Sequence, residues 1–378
     1  MKKIISLFWA VCIALSLFAQ ERDRGKIVIP DLKGYVTLKC DFHIHTVFSD
    51  GIVWPTERVV EAYREGLDAI AITDHLESRR YLLDLERLAD FSFKNLSHNI
   101  AYDLAQPYAK ERGIILIKGS EITRSMPPGH HNAIFLTNSD ELSTPDYMDA
   151  FRAAKSQNAF IFWNHPGTNA GGYGQSDTTT LWWTEHTKLL EQGLMYGIEV
   201  VNGSRYYFEA HHWCLEKKLT MMGNSDVHGP MAPFAPGKHR TMTLVFARNA
   251  TPEAIYEALK DRRTAVYYDE FIIGEEKYLK ELFANAVEIT LAKTDDKTAS
   301  IAFKNNSDLT FHLRETKNDA RIAYLCNTSI APLTINPQSS QIMKVRLNDG
   351  IKGGDVNFIV ENFLVEPNTG MKYSIEVF

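Results

Sequence analysis

The strongest constraint on this chain is a rhythm running from Tyr35 to about Phe271. Short β-branched or apolar runs alternate there with helical patterns, which specifies an α/β fold with a mostly parallel sheet. The predicted strands are Val36–Ile44, Ala69–Thr73, Ile114–Ser120, Asn132–Leu136, Ala159–Trp163, Gly197–Val201, Thr220–Gly223 and Thr241–Phe246. Helices fit between them. Pro55–Glu65 carries proline just inside its start, and Ser143-Thr144-Pro145 and Thr251-Pro252-Glu253 read as cap-plus-proline openings. Ser78–Ala109 is helical in pattern but holds Pro107, and Thr168–Thr180 is a Gly-, Thr- and Ser-rich stretch long enough for a lid or rim. From about Ala284 the rhythm stops and short strands alone remain, predicted at Ala286–Ala292, Ala299–Lys304, Leu309–Glu315, Ile322–Leu325, Ile342–Leu347, Val356–Val360 and Lys372–Phe378. This second pattern fits an immunoglobulin-like sandwich, with a small barrel as the alternative.

Histidines and carboxylates fall beside those first strands. Strand one closes with Asp41-Phe42-His43-Ile44-His45-Thr46, and alternation puts His43 and His45 on one face, suited to gripping one ion. Alone, such a pair is weak evidence, because any single histidine is as readily a hydrogen-bonded structural group. It has company in Ser49-Asp50-Gly51, Thr73-Asp74-His75, Gly119-Ser120-Glu121, Gly129-His130-His131-Asn132, Asn164-His165-Pro166 and Asn224-Ser225-Asp226-Val227-His228-Gly229. A barrel or open α/β sheet gathers the carboxyl ends of its strands into one crevice, so these side chains are expected to converge. Convergence is what a multinuclear metal site requires. Three divalent ions bring about +6 against the roughly -3 of Asp50, Glu121 and Asp226, and one hydroxide leaves about +2, a charge that attracts a phosphate dianion and steadies in-line attack on it. Mixed imidazole and carboxylate donors suit Zn, Mn or Fe rather than Ca.

The ordered set of HxHT, SDG, TDH, a glutamate after the third strand, GHxN, NHPG and a terminal DxH resembles the polymerase and histidinol phosphatase (PHP) family over residues 36 to about 270. The resemblance implies a distorted (β/α)7 TIM-like barrel with three metals at its carboxyl face, hydrolysing phosphate esters. Carried over by position, His43, His45, Glu121 and Asp226 hold the first metal; Glu121 bridges to a second, held also by His130 and His165; Asp50, His75 and His228 hold the third. Histidine is common in the family where this chain has Asp50, so the third site is a variant. Between His130 and His131, the G-H-x-N pattern and the facing rule favour His130, which sends His131 into packing. Asp74 is expected to orient a neighbouring ligand or close the strand by a hydrogen bond.

The implied reaction is hydrolysis of a small phosphomonoester or phosphodiester by a hydroxide between the first two metals, with Glu121, Asp226 and His228 at the reacting centre. Arg124, Arg205 and Lys238-His239-Arg240 are near enough in sequence to such a mouth to reach a phosphate, though each alone reads as a solvated charge. Trp182-Trp183 and Tyr206-Tyr207-Phe208 either stack on substrate or fill a core, and Ala170–Gly174 reads as a flexible rim rather than a nucleotide loop. Two alternatives stand beside this reading: the cluster cleaves a non-phosphate bond, or the barrel is a silent scaffold and the sandwich does the binding. Every mapped ligand position is occupied, which argues against silence.

Lys2 and Lys3 precede an apolar run from Ile4 to Phe18 and then Ala19, the layout of a secretory signal peptide. The expected division is therefore 1–20 signal, 21–283 metallohydrolase barrel and 284–378 sandwich, exported to the periplasm or secreted, with no stable membrane span after cleavage. A net charge of -6 supplies no overall basic field for nucleic acid, so a small phosphorylated substrate is the default partner, with a protein or carbohydrate left open for the sandwich. Cys40, Cys214 and Cys326 then form an odd set without a CxxC motif, so at least one thiol is free and packed thiols are expected.

Overall fold

The computed structural model describes residues 24–79, 96–167, 180–234, 237–316, 321–325 and 331–377. The expected signal segment, the Ala170–Gly174 rim and Cys326 lie outside them.

Chain order gives β1 (Val36–Ile44), α1 (Pro55–Glu65), β2 (Ala69–Ile72), α2 (Ile100–Arg112), β3 (Ile115–Ile122), β4 (His131–Ile134), α3 (Tyr147–Ser156), β5 (Phe160–Trp163), α4 (Thr184–Glu191), β6 (Gly197–Asn202), β7 (Arg205–Tyr206), α5 (Phe208–Lys217) and β8 (Thr220–Asn224). The strands β1, β2 and β3 run parallel, as do β5, β6 and β8. Between these groups β4 runs antiparallel to both neighbours, because the link from Ile122 to His131 is too short to hold a crossover helix. The sheet is thus mixed rather than mostly parallel. It closes at its carboxyl end: Ile44 bridges Val227 in parallel, the Asp226 N–H donates to His43 O at 2.9 Å, and the His45 N–H donates to Val227 O at 3.1 Å. That closure places the segment after β8 directly against the end of β1.

Helix ends follow local chemistry. Pro55 stands at the start of α1 and Gly66, at φ 81°, stops it, a conformation that costs glycine little. The next opening differs from expectation. Asp146, not Thr144, caps α3, its carboxylate accepting the Met148 N–H at 2.7 Å, so Ser143-Thr144-Pro145 only leads in.

Beyond the ring, β9 (Met242–Ala247) pairs antiparallel with the lower half of β1 and is followed by α6 (Pro252–Lys260), β10 (Thr264–Tyr268), β11 (Phe271–Gly274) and α7 (Glu276–Ala286). Thr251 caps α6, with Pro252 as its first residue, as the sequence suggested.

The C-terminal strands are β12 (Val287–Lys293), β13 (Thr298–Asn305), β14 (Phe311–Glu315), β15 (Ile322–Tyr324), β16 (Leu333–Ile335), β17 (Ser340–Leu347), β18 (Asp355–Glu366) and β19 (Thr369–Glu376). They form a sheet β12-β13-β17-β15 facing a layer β16-β14-β18-β19. Period-two alternation buries Ala299, Ile301 and Phe303 of β13 and Met343, Val345 and Leu347 of β17 against Phe311 and Phe358. The strand β16 escaped sequence reading because it is three residues long between Pro332 and Pro337.

The two regions share hydrogen bonds. Strand β18 pairs in parallel with β11, Ile272 opposite Phe363, so the sandwich layer continues the barrel sheet. The arm before β1 straps them further: the Val28 N–H donates to Asp308 at 2.7 Å and Asn285 Nδ2 to Asp31 O at 2.8 Å. No helix among the described residues is long and apolar enough to cross a membrane.

Candidate metal centre

Each strand end delivers its polar group into the carboxyl-end crevice. His43 near the end of β1 and His45 just past it are fully buried, and Glu121, also fully buried, comes from β3. His130 enters beside β4, His165 just after β5, and Asp226 and His228 from the segment closing the ring. Asp50 and His75 arrive on the loops after β1 and β2. All nine side chains that the sequence marked as ligands therefore meet in one place.

Within it the first set is tight. His43 Nε2 lies 2.9 Å from Glu121 Oε2, 3.2 Å from Asp226 Oδ1 and 3.0 Å from His45 Nε2. His45 Nε2 lies 3.2 Å from Glu121 Oε2 and 3.1 Å from Asp226 Oδ1. Donors about 2.0–2.2 Å from one ion stand about 3 Å from each other, which is the spacing seen. Glu121 turns its other oxygen to His130 Nδ1 at 2.6 Å and toward His165 Nε2 at 3.9 Å. Asp50 Oδ1 is 3.1 Å from His228 Nε2, 3.3 Å from His75 Nε2 and 3.6 Å from His45 Nδ1. Four overlapping donor groups emerge: His43/His45/Glu121, His43/His165/Asp226, His75/Glu121/His130 and His45/Asp50/His75/His228.

The fit of cations to these groups rests on atoms that nothing in the protein satisfies. Glu121 Oε1, His130 Nδ1, Asp226 Oδ1 and His228 Nε2 are buried and make no hydrogen bond, although each has a polar neighbour within 4 Å. They are spread over the separate donor groups, at least one to each proposed ion. Leaving such atoms unpaired is costly, and an ion repays it. Electrostatics agree. Burial alone would drive the His43 and His45 imidazoles neutral, yet the surrounding Asp226, Glu121 and, for His43, Glu199 carboxylates overcome it, lifting His43 well above the ordinary range and His45 to about 9. Burial opposes ionisation of Asp50 as well, but His228 and His75 hold it far below the usual carboxylate range. Without cations the acids retain protons on His43 and His45; cations take over that neutralisation.

Supporting residues were partly legible. Asp74 closes the loop, accepting the Thr46 N–H and Thr46 Oγ1–H, each at 2.6 Å, and the Ser49 hydroxyl at 2.7 Å. His131 is buried against Phe151 and Trp163, facing away from the cluster. Sequence reasoning missed Glu199. This fully buried carboxylate on β6 accepts the His43 Nδ1–H at 2.9 Å. An acid at the centre of Gly-Ile-Glu-Val-Val was the available signal, since a strand otherwise apolar on both faces does not bury a charge idly.

The basic residues divide. Arg124 donates to Thr144 O at 2.7 Å and pairs with Glu77 at 3.0 Å. Arg205 lies over the Tyr207 ring at 4.9 Å and against Gly167, where a Cβ would come within 3.1 Å of its Nη2, and it makes no ion pair among the described residues. Arg240 is buried and paired with Glu65 and Asp41, so it is withdrawn from the mouth. Of the aromatic residues, Trp182 packs on Trp163 and Trp213 and Tyr207 is buried, whereas Trp183 and Phe208 are exposed. Cys40 and Cys214 are buried free thiols.

Residues 41–294 match the PHP domain, about two thirds of the chain. The chain belongs to the PHP family. Its residues 285–376 match an Ig-like domain, which agrees with the sandwich. A solved two-domain protein from Bacteroides vulgatus, described as containing a predicted PHP-like metal-dependent phosphoesterase, is 47% identical, covers 94% of this chain and 99% of its own, and superposes with a TM-score of 0.85. A 5'-3' exoribonuclease of Haemophilus influenzae is 35% identical over 88 residues, and the matched stretch spans 23% of this PHP protein and 24% of that relative.

Proposed function

We propose that this PHP protein hydrolyses a phosphomonoester or phosphodiester of a small molecule at a centre of three divalent ions, Zn, Mn or Fe. The reading is carried by the convergence of four ligand side chains: His43 Nε2 and His45 Nε2 each lie 2.9–3.2 Å from both Glu121 Oε2 and Asp226 Oδ1. His43, His45, Glu121 and Asp226 would hold one ion, Glu121, His130 and His165 a second, and Asp50, His75 and His228 a third. Bound there, the ions supply an acidified water as nucleophile and positive charge for the phosphoryl oxygens.

The chain's own groups then have defined tasks. Buried Glu121 and Asp226 balance the cation charge; the imidazoles keep the centre from becoming anionic and repelling phosphate; Arg205 would hold a phosphoryl oxygen. The signal-like segment at residues 1–20 supports an exported enzyme acting on extracellular phosphorylated metabolites.

Chelated protein reloaded separately with Zn, Mn or Fe and screened for phosphate release from monoesters, diesters and cyclic nucleotides tests the proposal. Metal dependence with two to three equivalents bound is expected, and His43→Ala should lower metal content and reduce turnover by at least about a hundredfold. Cleavage of lactones or amides in preference to every phosphate ester would replace this reading with the non-phosphate alternative.

A further inference from the structure

The buried carboxylate of Glu199 receives four donors, two on each oxygen. Its Oε1 accepts the His43 Nδ1–H at 2.9 Å and Asn224 Nδ2 at 2.9 Å; its Oε2 accepts the His165 backbone N–H at 2.8 Å and Asn202 Nδ2 at 2.9 Å. The same Asn202 amide reaches Asp226 Oδ2 at 3.3 Å. Glu199 thus touches His43 through its ring, His165 through its backbone, and Asp226 through one intervening amide. Those three residues make up one of the four donor groups.

Two further features show that these ligands are held rather than merely present. His165 and Asp226 both adopt positive φ, 27° and 53°, which non-glycine residues occupy only where the surroundings impose it. The Glu199–His165 bond fixes the first of these directly. For His43, a carboxylate on Nδ1 keeps a proton on that nitrogen, so that Nε2, which faces Glu121 and Asp226, is the nitrogen left to bind a cation.

We propose that Glu199 is a positioning residue that sets the His43/His165/Asp226 donor group as a unit, while the Asp50/His75/His228 group stands independent of it. None of that second group contacts Glu199 among the described residues. The inference rests on the metal-centre reading above but not on the nature of the substrate.

The test compares wild type with Glu199→Gln, which keeps shape but cannot accept from four donors, and Glu199→Asp, which keeps charge but is one methylene short. Zn affinity is measured by chelator competition, together with exchange of the His165 amide in the metal-free proteins. In both variants the affinity of the sites using His43 and His165 should fall about 10–100-fold, one class of site should keep its wild-type affinity, and the His165 amide should exchange faster. Unchanged affinities, or an equal loss at every site alongside a lowered melting temperature, would overturn the proposal, the second outcome marking Glu199 as part of the general core. Should Glu199→Gln fail to fold, Glu199→Asp carries the comparison. Wild-type protein that binds metal but cleaves no phosphate ester would sink the phosphoesterase reading and leave this one standing; wild type that binds no metal overturns both.

Discussion

Two clusters of buried charge lie a few residues apart in this barrel and are built on opposite principles. Around Arg240 every group is answered: Nε and Nη2 donate to the two oxygens of Glu65 at 2.7 and 2.8 Å, Nη1 donates to Asp41 at 3.0 Å, and Asp41 also takes the Ser225 N–H at 3.1 Å. Around Glu121, by contrast, donors crowd together and buried lone pairs stay unanswered. Proximity of charges is therefore not what marks a site. What marks it is charge gathered without mutual satisfaction, an arrangement that only an external ion completes.

That distinction is most forcefully broken by Arg240→Met. Removing the cation strands Asp41 and Glu65 in the interior, and breaking a buried pair of this kind costs about 3–5 kcal/mol. Urea denaturation of the metal-free variant should show a loss of that size, while divalent metal still raises the midpoint of whatever remains folded. A midpoint equal to wild type would mean that the two clusters differ less than their geometry indicates.

The histidines sharpen the same contrast through pH. His186 and His211 sit outside the metal centre, and burial presses each imidazole down to about 4. A folded-state value below the ordinary ~6.5 means that the neutral form is preferred, so their stabilising contribution is complete above about pH 6.5 and drains away as pH falls toward 4. Together they amount to at most about 7 kcal/mol. His45 carries the opposite sign in the metal-free protein: raised to about 9, it contributes below pH 6.5 and that contribution is lost as pH climbs through 9. Melting curves from pH 4 to 10 should therefore fall on both sides without metal, and keep only the acid limb once metal displaces the His45 proton. An alkaline limb that persists in loaded protein would contradict the placement of His45 among the ligands.

How much of this was readable in advance follows from what each residue depends on. The strand ends bearing His43, His45, Glu121, His130, His165, Asp226 and His228 were legible, because strand alternation and a carboxyl-end crevice are consequences of backbone geometry alone. Asp146 displaced Thr144 as a cap because choosing among adjacent cap-formers depends on where the helix is anchored by packing. The reversal of β4 turned on a short link whose direction no periodicity encodes. Glu199 was invisible for a different reason: its meaning lies in four partners drawn from β1, β6, β8 and the His165 loop, and three-dimensional convergence of that kind leaves only one acid in an apolar run as its trace.

The arginines give the finest test, since two residues with equal standing in the sequence are treated differently by the fold. Arg124 has its guanidinium committed to Thr144 O and Glu77, whereas Arg205 rests on the Tyr207 ring beside the His165 loop with no carboxylate among the described residues to neutralise it. A charge-assisted hydrogen bond to a phosphoryl oxygen is worth about 1.5–3 kcal/mol, and solvent access at the mouth brings the observable share to the lower end. Arg205→Ala should accordingly raise KM for a phosphate ester about tenfold and weaken inhibition by inorganic phosphate in proportion, with kcat changed much less, while Arg124→Ala moves neither by more than about twofold. The reverse ranking would show that Glu77 releases Arg124 when substrate arrives, and that pairing in the resting protein is a poor guide to which cations are held for a guest.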